Sequence, residues 1–210
     1  MRAVLLQFAA TVVSYFLLGL IRVLTGAQAR WYGCPPKAVQ RIYFANHQSH
    51  ADLVMIWAAL PKELRHICRA VAARDYWTRS PFKQWLTTAV FHVIYVSRDR
   101  SAQEDPLEPL IEALQNGDSL ILFPEGTRGF ADEPQSFKAG LFNLASRFPE
   151  VELVPAWIAN VQRVMPKGEV VPVPVLCSVT FGAPMAILEG EDRQAFLIRA
   201  RQAVLALRDV

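Results

Sequence analysis

Cysteine is scarce in this chain of 210 residues. The three cysteines, Cys34, Cys68 and Cys177, are odd in number and far apart, so they form neither a zinc-binding spacing nor a disulfide framework. Reduced cysteines in a cytosolic compartment are the simplest interpretation. The sequence also lacks a Gly-x-Ser-x-Gly motif, so it offers no serine nucleophile of the kind that many hydrolases use.

Acidic residues are absent from the first 51 positions. Five basic residues lie there, so this portion carries +5 while the remainder carries −2 of the total of +3. A basic amino-terminal portion beside an apolar segment suits an anionic membrane surface. We do not expect nucleic acid as a partner, because the chain shows neither a basic-aromatic stripe nor a recognised nucleic-acid-binding motif.

The segment 3–21 contains no charged residue, and a helix of this length would reach about 28 Å, roughly one hydrocarbon core. Three interpretations remain open: a membrane helix that spans or lies in one leaflet, an apolar helix packed on the domain, and a cleaved signal peptide. Ala27-Gln28-Ala29 resembles a cleavage site, but Arg22 interrupts the approach to it. We expect residues 1–30 to form an apolar, membrane-associated helix and residues 31–210 to form one domain. If the helix spans, the Lys and Arg excess after it predicts a domain on the cytoplasmic face of the inner or plasma membrane.

The remainder of the chain alternates short apolar runs with helical patterns. This predicts an α/β fold with a central, largely parallel (mixed) sheet flanked by helices. Loops are expected at 31–37 and 161–174. Strands are predicted at 42–45, 66–71, 93–96, 120–122, 153–159 and 175–181. Helices are predicted at 52–60, 82–89, 107–115, 138–147 and 192–207.

A histidine and an aspartate follow the first of these strands. His47 and Asp52 could not share a face of one continuous helix, but they can meet if His47 lies in the turn and Asp52 in the first helical turn. A carboxylate on one ring nitrogen fixes the tautomer and makes the other nitrogen a base. A simple capping box from Ser49 to Asp52 remains the alternative interpretation. His50 is a second candidate base, and a metal on His47 and His50 is not expected.

A second polar motif follows the strand at 120–122. Gly126 allows close approach of a ligand to the backbone, Thr127 and neighbouring amides can form an anion site, and Arg128 can hold a phosphate. Arg98 follows the strand at 93–96 and adds a cation at the same edge of the sheet. The alternative is an exposed ion pair between Glu125 and Arg128.

At these residues the chain resembles the glycerolipid acyltransferase family, of which 1-acylglycerol-3-phosphate acyltransferases are the best-known members. The matching motifs occur in the family order between about residues 40 and 185. They are His47-x4-Asp52, Phe123-Pro124-Glu125-Gly126-Thr127-Arg128, Tyr95-Val96-Ser97-Arg98 and Val154-Pro155, with weaker similarity at Phe137-Lys138-Ala139-Gly140 and Phe181-Gly182-Ala183-Pro184. Ser97 stands where the family has an aspartate, which leaves the acceptor headgroup open.

The resemblance implies an acyltransferase domain that moves an acyl group from acyl-CoA or acyl carrier protein to the hydroxyl of a lysophospholipid in a membrane. By this analogy His47 is the general base, Asp52 orients it, and Arg98 with Glu125, Gly126, Thr127 and Arg128 binds the acceptor. Neither a cofactor nor a metal nor a covalent acyl-enzyme is implied. Three alternatives stay open: another acceptor such as a lyso-aminolipid, a hydrolase, and a non-enzymatic lipid-binding protein.

Overall fold

The computed structural model describes residues 2–49, 51–78, 80–97, 105–129, 133–164 and 175–210. Within these residues the strands are β1 (Gln28–Trp31), β2 (Arg41–Ala45), β3 (Cys68–Ala73), β4 (Ile94–Val96), β5 (Ser119–Leu122), β6 (Glu152–Ala159) and β7 (Ser178–Phe181). The helices are α1 (Arg2–Thr25), α2 (Asp52–Ala59), α3 (Lys62–Ile67), α4 (Arg74–Trp77), α5 (Pro81–Ala89), α6 (Glu108–Gln115), α7 (Gly140–Arg147), α8 (Val161–Val164) and α9 (Arg193–Leu205).

The strands form one mixed sheet in the order β1-β7-β6-β2-β5-β3-β4. All neighbouring pairs are parallel except β6 and β7, which are antiparallel. The short apolar runs of β2 and β5 are buried along their whole length, as expected for central strands covered on both faces. The prediction of a largely parallel, mixed α/β sheet is therefore confirmed.

Helices cover the two faces of the sheet in a way that opens a crevice at its centre. The core under α2 contains Leu53 and Ile56, whereas the core under α6 and α7, on the opposite face, contains Leu110 and Leu144. The chain therefore leaves β2 toward one face and leaves the adjacent β5 toward the other. Ligands in open α/β sheets bind at such a switch point, outside the carboxyl ends of the strands.

The first helix is the most apolar element. Its Val4–Thr25 segment has a mean hydropathy of 2.1 and is long enough to cross a membrane, and only 11% of the apolar window is buried. Ala10 and Leu18 pack inward. The helix ends at Thr25, the next two residues, Gly26 and Ala27, both have positive φ, and β1 begins at Gln28.

Several boundaries of helices and strands differ from those predicted from the sequence, and one strand was not predicted. β1 was not predicted, and it lies at the edge of the sheet, where it pairs with β7 alone. Residues 66–67 belong to α3 and not to a strand, since α3 starts after Pro61 and continues to Ile67. β7 begins at Ser178 and not at 175. The loop predicted at 161–174 starts with the short helix α8, and residues 165–174 lie outside the described part of the chain.

Candidate active site

The residue after β2 is anchored to the neighbouring strand. The Asn46 side-chain amide donates to the Ile158 carbonyl oxygen at 3.1 Å, and its side-chain oxygen accepts from the Ile158 backbone N–H at 2.8 Å. Asn46 is 2% exposed, so both bonds are protected from water. This side chain therefore fixes the backbone from which His47 projects.

The predicted pairing of His47 with Asp52 is present. Nδ1 of His47 lies 2.9 Å from Oδ2 of Asp52, and the two side chains are 18% and 2% exposed. The same Oδ2 accepts the backbone N–H groups of Gln48 at 2.6 Å and Ser49 at 2.7 Å. Asp52 thus orients the histidine and also makes the carboxylate half of the capping box, so the two interpretations of this motif coexist.

The other half of the expected capping box, in which the Ser49 hydroxyl accepts from the Asp52 backbone N–H, is not the arrangement observed. The N-cap of α2 is Ala51, and the Ser49 hydroxyl oxygen accepts from the Ala51 N–H at 3.2 Å rather than from Asp52. His50, the second candidate base, lies outside the described residues.

Glu125 joins the loop after β5 to the loop after β2. Its Oε1 accepts the backbone N–H of His47 at 2.7 Å, its Oε2 accepts the backbone N–H of Gln135 at 2.8 Å, and the residue is 2% exposed. Burial raises the pKa of the Glu125 carboxyl above its ordinary value, and the two backbone hydrogen bonds oppose that shift. The structure describes no ion pair between Glu125 and Arg128, so the alternative of an exposed pair does not hold.

Two further contacts hold the histidine in place. The Gly129 N–H donates to the His47 carbonyl oxygen at 2.8 Å, and the Phe123 ring stacks on the imidazole with centroids 4.3 Å apart. Both backbone polar groups of His47 and one ring face are therefore held by the loop after β5. The adjacent parallel strands bring the two sequence motifs together, as their placement after β2 and β5 predicts.

Lys138 is a site residue that the sequence analysis did not single out. Its N–H donates to the Pro124 carbonyl oxygen at 2.8 Å, which draws this residue out of the predicted helix so that α7 begins at Gly140. Gly126 has φ +68°, and a Cβ there would lie 2.6 Å from Nζ of Lys138. The glycine therefore leaves room for the ammonium group against the loop backbone. The weak Phe137-Lys138-Ala139-Gly140 similarity was the available signal.

A cavity of about 680 Å³ extends from these loops toward the core. Its polar end is lined by His47, Gly126, Thr127, Arg128 and Lys138, together with Asp75 and Ser97. Its apolar lining comes from Leu53, Val71, Val96, Leu107, Leu110, Leu122, Leu141 and Leu144. Arg98, which was predicted to bind substrate, lies outside the described residues, as do the neighbouring residues 99–104.

Thr127, Arg128 and Lys138 are exposed at the cavity's polar end, and neither cation makes an ion pair with a described residue. Such an arrangement can bind an anionic group beside a histidine base. No group of three or more His, Cys, Asp or Glu residues suited to a metal ion occurs in the part of the chain that the structure describes.

Comparison with protein families gives a match to the model described as Acyltransferase over residues 35–159. The match includes both loops of the site and ends with β6. Among curated proteins, the chain is 29% identical over 135 residues to a 1-acyl-sn-glycerol-3-phosphate acyltransferase of Chlamydomonas reinhardtii, covering 64% of this chain and 39% of that protein. It is 31% identical over 125 residues to the corresponding protein of Saccharomyces cerevisiae, covering 57% of this chain and 38% of that protein. The chain thus spans well under half the length of these relatives.

Among solved structures, the fold resembles the 1-acyl-sn-glycerophosphate acyltransferase of Thermotoga maritima. The TM-score is 0.70 at 20% identity, and the match covers 99% of this chain and 81% of the other. At this identity the likeness shows a shared fold.

Proposed function

Because the chain belongs to the acyltransferase family, we propose that it transfers a fatty acyl group from a thioester to the free hydroxyl of 1-acylglycerol-3-phosphate, forming phosphatidate. The observation that carries this proposal is the His47–Asp52 pair at 2.9 Å, which opens onto an apolar cavity beside two cations. The names of the curated relatives support the same acceptor. The proposed donor is acyl-CoA or acyl carrier protein.

In the proposed reaction, His47 acts as the general base. With Nδ1 donating to the Asp52 carboxylate, Nε2 carries the lone pair that accepts the proton of the acceptor hydroxyl. The hydroxyl oxygen attacks the thioester carbonyl carbon, and the carbon–sulfur bond breaks. The released thiolate then accepts the proton that the imidazolium took from the hydroxyl. Atoms and charge balance without a metal or cofactor, and neither is proposed.

We propose that the apolar end of the cavity holds the acyl chain of the donor. Its volume lies within the range of about 300–1,000 Å³ that is typical of small-molecule sites. Burying each methylene of a fatty acyl chain is worth about 0.8 kcal/mol, so an apolar lining favours a long chain. Arg128, Lys138 and Thr127, with Arg98 as a further proposed ligand, hold the acceptor phosphate, while Glu125 positions His47 and Gln135.

We further propose that the domain works at the cytoplasmic face of a membrane, with α1 embedded in the bilayer. The support is the exposed apolar surface of α1 and the basic residues that follow it in the sequence. The three cysteines are free and buried, which agrees with a reducing compartment.

To test the proposal, the purified full chain is reconstituted into vesicles and incubated with palmitoyl-CoA and 1-acylglycerol-3-phosphate. The release of free thiol and the formation of the lipid product are measured in the same samples. We expect phosphatidate to form in step with free thiol. Thiol release without a lipid product would instead show hydrolysis and overturn the proposal. Replacing palmitoyl-CoA by a palmitoyl carrier protein then compares the two donors by kcat/KM.

Replacing Lys138 or Arg128 by alanine tests whether these cations bind the phosphate of the acceptor. For Lys138→Ala or Arg128→Ala we expect the KM for 1-acylglycerol-3-phosphate to rise about tenfold, since one charge-assisted hydrogen bond contributes about 1.5 kcal/mol. The KM for monoacylglycerol, which has no phosphate, should change little. Lys62→Ala, an exposed lysine on α3 away from the cavity, is the matched control. An equal rise of KM for both acceptors would show that these cations do not bind the phosphate.

A further inference from the structure

Two aromatic residues on α5 present an apolar surface to solvent. Phe82 lies in the first turn of the helix and is 67% exposed, and Trp85 lies one turn later and is partly buried. Their ring centroids are 6.2 Å apart. A single exposed aromatic residue is common on protein surfaces, so its surroundings decide what it implies.

The start of α5 lies at the same edge of the sheet as His47. α4 and α5 connect β3 to β4, which are parallel neighbours, so this crossover leaves from the carboxyl edge and returns to the amino edge. α4 begins immediately after β3, and two of its residues, Asp75 and Trp77, line the cavity. Phe82 follows Trp77 by five positions. α5 also contacts α4, so the helix that carries the exposed aromatic surface packs against an element of the cavity wall.

The helix that carries this surface also packs beside the apolar helix α1. The two helices are in direct contact and cover the same face of the sheet. Between positions 4 and 23, α1 has nine large apolar side chains that are each at least 42% exposed. Apolar area on this scale exceeds what a protein surface ordinarily leaves in water, and burial in lipid stabilises it by about 25 cal/mol per Å².

We propose that Phe82 and Trp85 enter the lipid surface beside α1, so that α5 provides a second membrane contact next to the elements that form the cavity. Tryptophan is favoured at the membrane–water interface because its ring combines an apolar body with a polar N–H group, and phenylalanine contributes apolar surface that is buried among the lipids. The choice of lipid as the occupant rests on the proposed acyltransferase function.

Site-specific labelling tests the contact without depending on activity. The native cysteines are all buried, so Phe82→Cys can be labelled selectively with the environment-sensitive fluorophore NBD. In full-length protein reconstituted into vesicles of phosphatidylcholine and phosphatidylglycerol, we expect a blue-shifted emission about threefold brighter than in water, with quenching by brominated lipid. Ile198→Cys is the control, since Ile198 is 52% exposed on α9, which covers the opposite face of the sheet. The same spectrum at both positions would overturn the proposal.

A kinetic comparison separates this proposal from the proposed function. For Phe82→Ala we expect the apparent KM for acceptor in vesicles to rise about fivefold, from the lost insertion of one aromatic side chain. The KM for a short-chain acceptor dissolved as monomers should stay unchanged. Equal KM values for wild type and variant in vesicles would overturn the lipid contact while leaving the acyltransferase proposal intact. Lipid quenching of the label in an inactive protein would support the contact and count against the acyltransferase function.

Discussion

At the scale of single residues, the Asp52 carboxylate has two roles that share one oxygen atom. Oδ2 accepts from the imidazole of His47 and from two backbone N–H groups. The backbone bonds keep the loop folded, and the imidazole bond sets the tautomer of the base. Asp52 is therefore both part of the fold and part of the proposed chemistry, and a substitution there should affect both measurably.

For Asp52→Asn we expect a loss of kcat of about 10²-fold or more, because the amide oxygen that stays on the two backbone N–H groups is uncharged and no longer stabilises the imidazolium. We also expect the free energy of unfolding to fall by about 1–3 kcal/mol, since backbone N–H groups lose a charged acceptor. Steady-state kinetics and thermal unfolding measure the two effects. A folded variant with near-normal kcat would show that Asp52 serves only to cap the loop.

The orientation of Glu125 could not be predicted from the sequence. A Glu-Gly-Thr-Arg sequence after a strand allows the carboxylate to turn outward to an arginine or inward to backbone amides. The inward orientation depends on the His47 and Gln135 N–H groups, which lie 78 and 10 positions away in the sequence. Lys138 was missed for the same reason, since its proximity to Gly126 follows from the tertiary fold.

At the scale of secondary-structure elements, the central strands were predictable and the edge strand was not. β2 and β5 are buried apolar runs bounded by turn residues, so burial leaves a clear signal in the sequence. β1 is largely exposed and exists through its pairing with β7, so its four residues show no comparable pattern. The bounds of α7 were displaced by a backbone hydrogen bond from Lys138 to Pro124.

The last helix is held by a charged pair that predicts a pH-dependent stability. Nε and Nη2 of Arg199 on α9 bind the Glu191 carboxylate at 2.7 and 2.6 Å, and Nη2 also donates to the Ala186 carbonyl oxygen at 2.7 Å. The hydrogen bonds from Arg199 lower the pKa of Glu191 to about 2. A lowered carboxyl pKa contributes stability above the ordinary value near 4.5, and this contribution is lost as the pH falls toward 2.

For Glu191→Gln we expect the free energy of unfolding at neutral pH to fall by about 1 kcal/mol. The difference from wild type should shrink between pH 4.5 and about 2, as the wild-type carboxyl becomes protonated. Urea unfolding followed by circular dichroism across this range provides the measurement. A difference that stays constant with pH would mean that the charge of Glu191 does not contribute.

At the scale of the whole molecule, the divergence of the chain after β2 and β5 creates the space for a substrate. Gly140, at the start of α7, lines the cavity, and a Cβ there would lie 3.4 Å from Cδ2 of Leu107 on the opposite wall. That distance accommodates a methyl group in ordinary contact and nothing larger without narrowing the cavity. A larger side chain at position 140 should therefore narrow the cavity between α7 and the segment that precedes α6.

For Gly140→Leu we expect turnover with palmitoyl-CoA to fall at least about tenfold more than turnover with butyryl-CoA, because the added side chain excludes the long acyl chain. Gly140→Ala is the matched control and should retain the wild-type chain-length profile, with a small gain in helix stability. Equal losses with both donors in Gly140→Leu would count against an acyl site between α6 and α7.

The most direct test of the central claim is phosphatidate formation by wild type and by His47→Ala under identical conditions. The variant keeps both backbone hydrogen bonds of residue 47, to Glu125 and from Gly129, so the fold should survive, as unfolding curves can verify. We predict that loss of the base lowers kcat by about 10²–10⁴-fold. A correctly folded His47→Ala protein that forms phosphatidate at the wild-type rate would contradict the account.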